Sequence, residues 1–325
     1  MIRAAFVTMV LVCAAGCDGD ALNPVDLAGA DLAGADLAGG ALLDLSANPP
    51  ADLVPGPDLS SHSLVEKRPY MSKAPAGYDA ARAWPLVVLL HGYSATGATQ
   101  DLYFGFSKIV DSKGFLYAYP DGLIDNIGKH FWNASDACCN LFKSPVDDVA
   151  YLTAVIDDMR SRYHVDERRI FLVGHSNGAF MSHRMACDRA DRVAAIVALA
   201  GDVWDDASKC NPSTPVSVLQ IHGDADAVIN YNGGKVAAAD GPYPSARACI
   251  DTWAAKNGCM AGTVKGAPLD LDRVLIGDET LTELHEGCKG GAAALWTIKG
   301  GSHAPNLQPT WAATLYDWLA AHPKR

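Results

Sequence analysis

Acyl transfer by a serine needs a base to take the hydroxyl proton, and that base needs a carboxylate to hold its tautomer. The sequence carries these residue types in a usable order. Ser176 stands in Gly174-His175-Ser176-Asn177-Gly178, Asp226 follows His222-Gly223, and His303 follows Gly300-Gly301-Ser302. Ser176 is the candidate nucleophile, Asp226 the acid and His303 the base. Asp224 is a rival acid two residues from Asp226. His222 and His175 are rival bases, but one precedes the loop and the other abuts the serine, positions that suit packing beneath the site. An oxyanion formed on attack needs donors already aimed at it. The Asn177 N–H, at the start of a helix, is one, and the Tyr93 N–H in His91-Gly92-Tyr93 is expected to be the other.

A G-x-S-x-G pentapeptide alone is weak, since serine is a common turn former. Its setting gives it weight. Ile170-Phe171-Leu172-Val173 reads as a buried strand, and Phe180, Met181, Arg184 and Met185 recur at helical spacing after the turn. Strand, sharp turn and helix make a nucleophile elbow, which lifts the serine above the sheet edge. Further strands are predicted at Pro85–Leu90, Phe115–Tyr119, Ala194–Leu199, Val216–Ile221 and Ala293–Ile298, and helices at Val146–Tyr163, Ala179–Asp188, Ala246–Asn257 and Thr310–Ala321. This alternation predicts one doubly wound α/β domain with a mostly parallel sheet and helices on both faces. Asp226 and His303 then fall in loops at the C-terminal ends of strands, where ligands bind in open sheets.

Of the 325 residues, 49% are hydrophobic, enough for a sizeable core, and the formal charge is −11. Residues 18–61 hold eight Asp and no other charged side chain, whereas residues 62–325 hold 25 basic and 29 acidic ones. The folded part is nearly balanced and shows no basic stripe, so nucleic acid is not an expected partner. Met1-Ile2-Arg3 and the apolar run after it read as a signal peptide over residues 1–16. Ala14-Ala15-Gly16-Cys17 looks like a lipobox, which makes Cys17 the expected lipidation site and a lipid anchor the expected link to a membrane. Residues 17–64 repeat A-D-L-A-G and then turn Pro-rich, the composition of a disordered tether. Residues 65–325 are the expected catalytic domain. The loop from Asp224 lacks the glycine and glutamate of a calcium-binding EF-hand, having Ile229 and Lys235 there. No cysteine pair has metal-ligand partners at zinc spacing, so neither metal nor cofactor is expected.

Leu90-His91-Gly92, Tyr119-Pro120-Asp121-Gly122, Trp132-Asn133, Cys138-Cys139, Val146-Asp147-Asp148-Val149, the serine motif, His222-Gly223 with Asp226, and Gly300-Gly301-Ser302-His303 occur in this order from about Arg68 to the end. Together they resemble the secreted polyhydroxybutyrate depolymerase and feruloyl esterase family of α/β-hydrolases. The resemblance implies the α/β-hydrolase fold, serine carboxylesterase activity on an extracellular ester, and Ser176, Asp226 and His303 as the triad. His91, Trp132 and His175 are expected to line the substrate. Two departures stand out: Ala304-Pro305-Asn306 where the family places a tryptophan after its histidine, and Ala179 where a further glycine is common. The resemblance also implies a Cys259–Cys288 disulfide, further bridges among Cys138, Cys139, Cys187 and Cys210, and Cys249 as the free thiol. Polyester depolymerases usually append a binding domain, and only 22 residues follow His303, which tilts the expectation towards a soluble or cell-wall ester. Two other functions fit the same features. One is a serine peptidase of the prolyl-oligopeptidase type, disfavoured because only a tether occupies the N-terminal side. The other is a non-catalytic surface module that keeps the fold.

Overall fold

The computed structural model describes residues 59–325. The signal segment 1–16, the lipidation site Cys17 and the tether up to residue 58 lie outside the described residues. The first described helix starts within the stretch expected to be tether. Helix α1 (Leu59–Lys67) buries Val65 in the core. Just beyond it, Arg68 bonds Asp148 at 2.8 Å and lies 3.7 Å over the Tyr151 ring. The helix starts before the expected boundary at residue 65, and its Leu64 packs against the core.

The strands are β1 (Met71–Lys73), β2 (Trp84–Leu90), β3 (Leu116–Tyr119), β4 (Leu123–Ile124), β5 (His130–Phe131), β6 (Val165–His175), β7 (Ala195–Leu199), β8 (Ser217–Gly223), β9 (Val264–Lys265), β10 (Thr280–Leu284) and β11 (Ala293–Ile298). Nine of them form one sheet in the order β1-β3-β2-β6-β7-β8-β11-β10-β9, and β4 and β5 form a separate hairpin. From β3 through β11 the neighbours run parallel. The edge strands β1, β10 and β9 are antiparallel.

The longer helices are α2 (Gly97–Phe104), α4 (Asp148–Arg162), α5 (Asn177–Asp188), α6 (Ala246–Lys256) and α7 (Trp311–Ala320), with a single turn α3 (Val110–Lys113) between α2 and α4. Alternate side chains of the central strands enter opposite cores, as strand geometry requires. Leu86, Val88, Leu90, Ile170 and Leu172 join α1, α4, α5 and α6 on one face, while Val87, Leu89, Phe171 and Val173 join α2, α3 and α7 on the other. The predicted doubly wound arrangement is observed, and every residue of β2 is buried because both faces are covered. The parallel strands end together at one edge of the sheet. Ser176 and the loops after β2, β7, β8 and β11 gather there.

Candidate active site

Ser176 connects β6 to α5 with φ 54° and ψ −120°, a backbone conformation that L side chains rarely adopt. Such strain costs about 1–3 kcal/mol and persists only where surrounding contacts fix it. Here the Ser176 N–H donates to Leu199 O at 2.8 Å, and Ser176 O accepts from Ala179 and Phe180. The two motif glycines permit the turn. A Cβ on Gly174 would stand 2.1 Å from Gly178 O, and one on Gly178 would stand 2.2 Å from Leu90 O. Gly178→Ala is therefore expected to destabilise the fold by about 3 kcal/mol or more, because it drives a methyl into backbone that cannot yield. An unchanged urea midpoint would contradict this.

Asp226 lies in the loop after β8. Its Oδ1 accepts the N–H groups of Val228 and Ile229 at 2.8 and 2.9 Å, and its Oδ2 receives His303 Nδ1 at 2.8 Å. Burial alone would raise its pKa, but His222 at 3.4 Å and His303 outweigh that and hold the carboxyl well below its usual range. His303 Nε2 carries no hydrogen bond among the described residues, and neither does Ser176 Oγ. In serine hydrolases without substrate this contact is often loose. The loop bearing His303 is fixed beside the elbow: His175 Nε2 donates to His303 O at 2.9 Å, and Tyr103 OH donates to Pro305 O at 2.7 Å.

The rivals have other partners, although His222 also borders the acid. Asp224 pairs with Lys299 and accepts the Gly300 N–H at 2.6 Å, which closes the loop rather than meeting an imidazole. His222 is fully buried, with Nε2 donating to Ile229 O at 2.8 Å.

The N–H groups of Tyr93 and Asn177 have no acceptor among the described residues. A Cβ built on Gly92 would lie 3.4 Å from Ser176 Cβ, so the Tyr93 loop abuts the serine. The expectation that His91 and Trp132 touch substrate is corrected. Both are fully buried, and their polar atoms serve the backbone. His91 Nε2 accepts the Gly122 N–H and Nδ1 donates to Gly92 O, the carbonyl of the same peptide that bears the Tyr93 N–H. Trp132 Nε1 donates to His91 O at 3.0 Å, and the Asn177 side-chain amide bonds both backbone groups of Trp132. His175 is partly buried, its ring 5.1 Å from that of His303.

Residues that no motif announced also serve the site. Gln100 on α2 accepts the Gly92 N–H at 3.2 Å, and Tyr93 OH bonds Asp125 of the β4–β5 hairpin. Beneath the acid, Gln220 links Asp202 and His183, and Trp253 Nε1 donates to His183 at 3.0 Å. Only the polar identity of Gln220 within an apolar strand hinted at that network.

Burial lowers His91, His175 and His183 to about 4, with the neighbouring His303 adding to the shift at His175. The unfolded chain protonates these rings near ~6.5 while the folded protein does not, so stability rises with pH across that interval. Stability is accordingly expected to fall as pH drops from about 6.5 towards about 4. Equal urea midpoints at pH 7 and pH 5 would contradict this.

The fold and the elbow together define an α/β-hydrolase. A family model described as phospholipase/carboxylesterase matches residues 146–240. The chain is 30% identical to feruloyl esterase B of Piromyces equi over 244 residues, 73% of this chain and 42% of that protein. It is 25% identical to feruloyl esterase D of Neurospora crassa over 278 residues, 80% and 84% of the two chains. Among solved structures, an acetyl xylan esterase from Aspergillus awamori superposes with a TM-score of 0.54 at 15% identity, covering 77% of this chain and 92% of its own, a likeness of fold. The chain spans under half the length of feruloyl esterase B. It is thus an α/β-hydrolase with sequence similarity to feruloyl esterases; none of these relatives bears on the polyhydroxybutyrate side of that resemblance.

Among the described residues, three disulfides, Cys138–Cys139, Cys187–Cys210 and Cys259–Cys288, and a buried free Cys249 agree with the pairing that the resemblance implies.

Proposed function

We propose that this protein is an exported serine carboxylic ester hydrolase that works through an acyl-enzyme on esters carried by polysaccharide. The observation that carries the reading is the 2.8 Å His303–Asp226 pair held beside an elbow serine. With an ester carbonyl oxygen against the Tyr93 and Asn177 N–H groups, Ser176 Oγ bonds to the carbonyl carbon as His303 Nε2 takes its proton. Asp226 holds the resulting imidazolium. Collapse of the tetrahedral intermediate breaks the C–O bond, and the alcohol leaves with the proton from His303. Water then repeats the sequence, which releases the acid and restores Ser176.

The names of the relatives, feruloyl esterases and an acetyl xylan esterase, favour an acyl group on plant polysaccharide over a hydroxyalkanoate polyester. Three disulfides suit an oxidising compartment outside the cytoplasm. Lipidation of Cys17 would tether the enzyme to a membrane. A side-by-side assay on methyl ferulate, acetylated xylan and polyhydroxybutyrate tests the substrate class. Turnover of either of the first two is expected to exceed that of the polyester, and preference for the polyester would overturn the assignment.

A further inference from the structure

A cavity of about 410 Å³ lies between the loop following β5 and the segment around residues 238–240. Its lining includes Asn133, Ser135, Ser144, Arg184, Trp204 and Asp240. Two chain connections bring it to the elbow. Asn133 directly follows Trp132, whose backbone the Asn177 side chain holds at 2.7 and 3.0 Å. Trp204 comes three residues after Gly201, whose Cβ position would lie 2.5 Å from Ser176 O. Arg184 stands two turns along α5 from Asn177, roughly 10 Å at the helical rise per residue.

The charges around the cavity are already matched. Arg184 pairs with Asp188 at 3.3 Å, Asp136 with Lys209 at 2.7 Å and Lys143 with Asp240 at 3.1 Å. An anionic or cationic ligand would find no unpaired counter-charge there. What the lining offers is uncharged hydrogen bonding in both senses. Arg184 uses Nη1 on Asn133 O and Asn133 uses Nδ2 on Val146 O. Arg184 Nη2, Trp204 Nε1, Asn133 Oδ1 and Ser144 Oγ carry no hydrogen bond among the described residues. Donors and acceptors thus stand around one partly buried indole, a lining that suits a ring with an apolar face and hydroxyls at its rim. Gly241 N–H donates to Asp136 O at 2.9 Å and ties the segment after Asp240 to the loop following β5.

We infer that this cavity is a subsite for one or two neutral sugar residues of the alcohol side of the substrate. The identity of the ligand as a leaving group rests on the ester-hydrolase reading above. Asn177 at the elbow and Arg184 at the cavity are separated by about 10 Å of helix, the span that a saccharide chain acylated at Ser176 would have to cover. Binding there would add affinity for the polymer without touching the acyl group.

Calorimetric titration of xylotriose into the full Ser176→Ala chain reads the subsite without hydrolysis. Binding is expected, and Trp204→Ala on that background should weaken it about tenfold or more, the usual cost of losing a central aromatic contact. Trp204→Phe keeps the ring and serves if the alanine protein fails to fold; loss of the indole N–H should still weaken binding measurably. Absence of binding, or equal binding with and without the indole, overturns the subsite. The hydrolase reading fails separately, if the unsubstituted chain cleaves neither methyl ferulate nor acetylated xylan, and that result leaves the titration interpretable.

Discussion

Replacing Ser176 by alanine is expected to lower kcat on a small ester by about 10⁴- to 10⁶-fold while leaving the fold intact. The size of the loss follows from the proposed role of Ser176 as the nucleophile that forms the covalent intermediate. Fold retention follows from geometry, because the contacts that hold the turn use the Ser176 backbone N–H and carbonyl rather than its hydroxyl. Activity within tenfold of the parent would mean that another group attacks the substrate. Kinetics on methyl ferulate, with the urea midpoint as a control, distinguishes the two outcomes.

Asp226→Asn is expected to cost about 10⁴-fold in kcat at neutral pH. The reason lies in how the carboxylate is held. Oδ1 accepts two backbone N–H groups, from Val228 and Ile229, so the oxygen of an asparagine amide must stay there. Its NH₂ then faces His303 Nδ1, which can remain only as an acceptor. The imidazole is forced to carry its proton on Nε2, the nitrogen that must take the proton of Ser176. Asp224→Asn provides the contrast: that carboxylate pairs with Lys299 and Gly300, and a loss of less than about tenfold is expected there, in line with an exposed ion pair. Equal losses at the two positions would contradict the assignment of Asp226 as the acid.

The parts of the site that the sequence made readable are local or lie at strand ends. The elbow is one contiguous motif between a buried strand and a helix. Asp226 and His303 each follow an apolar run that had to be a strand, so their loops had to meet at one edge of a parallel sheet. His91 and Trp132 read differently in sequence and in structure, since a motif shows that a residue is near a site but not whether its ring faces substrate or backbone. Gln100, Tyr103 and Asn177 act through contacts to residues distant in sequence, and no spacing rule reaches those. The edge strands β1, β9 and β10 are short and partly exposed, so their hydrophobic pattern is faint. Helix α1 was hidden by the low-complexity stretch before it; Leu64 and Val65 become legible only once α4 is there to cover them.

The most direct test of the central claim is covalent labelling of the folded protein with a fluorophosphonate probe, followed by peptide mapping. A single adduct on Ser176, lost in the Ser176→Ala protein and greatly slowed in the Asp226→Asn protein, is the expected result. A folded chain that stays unlabelled, or that carries its adduct on another residue, would contradict the account.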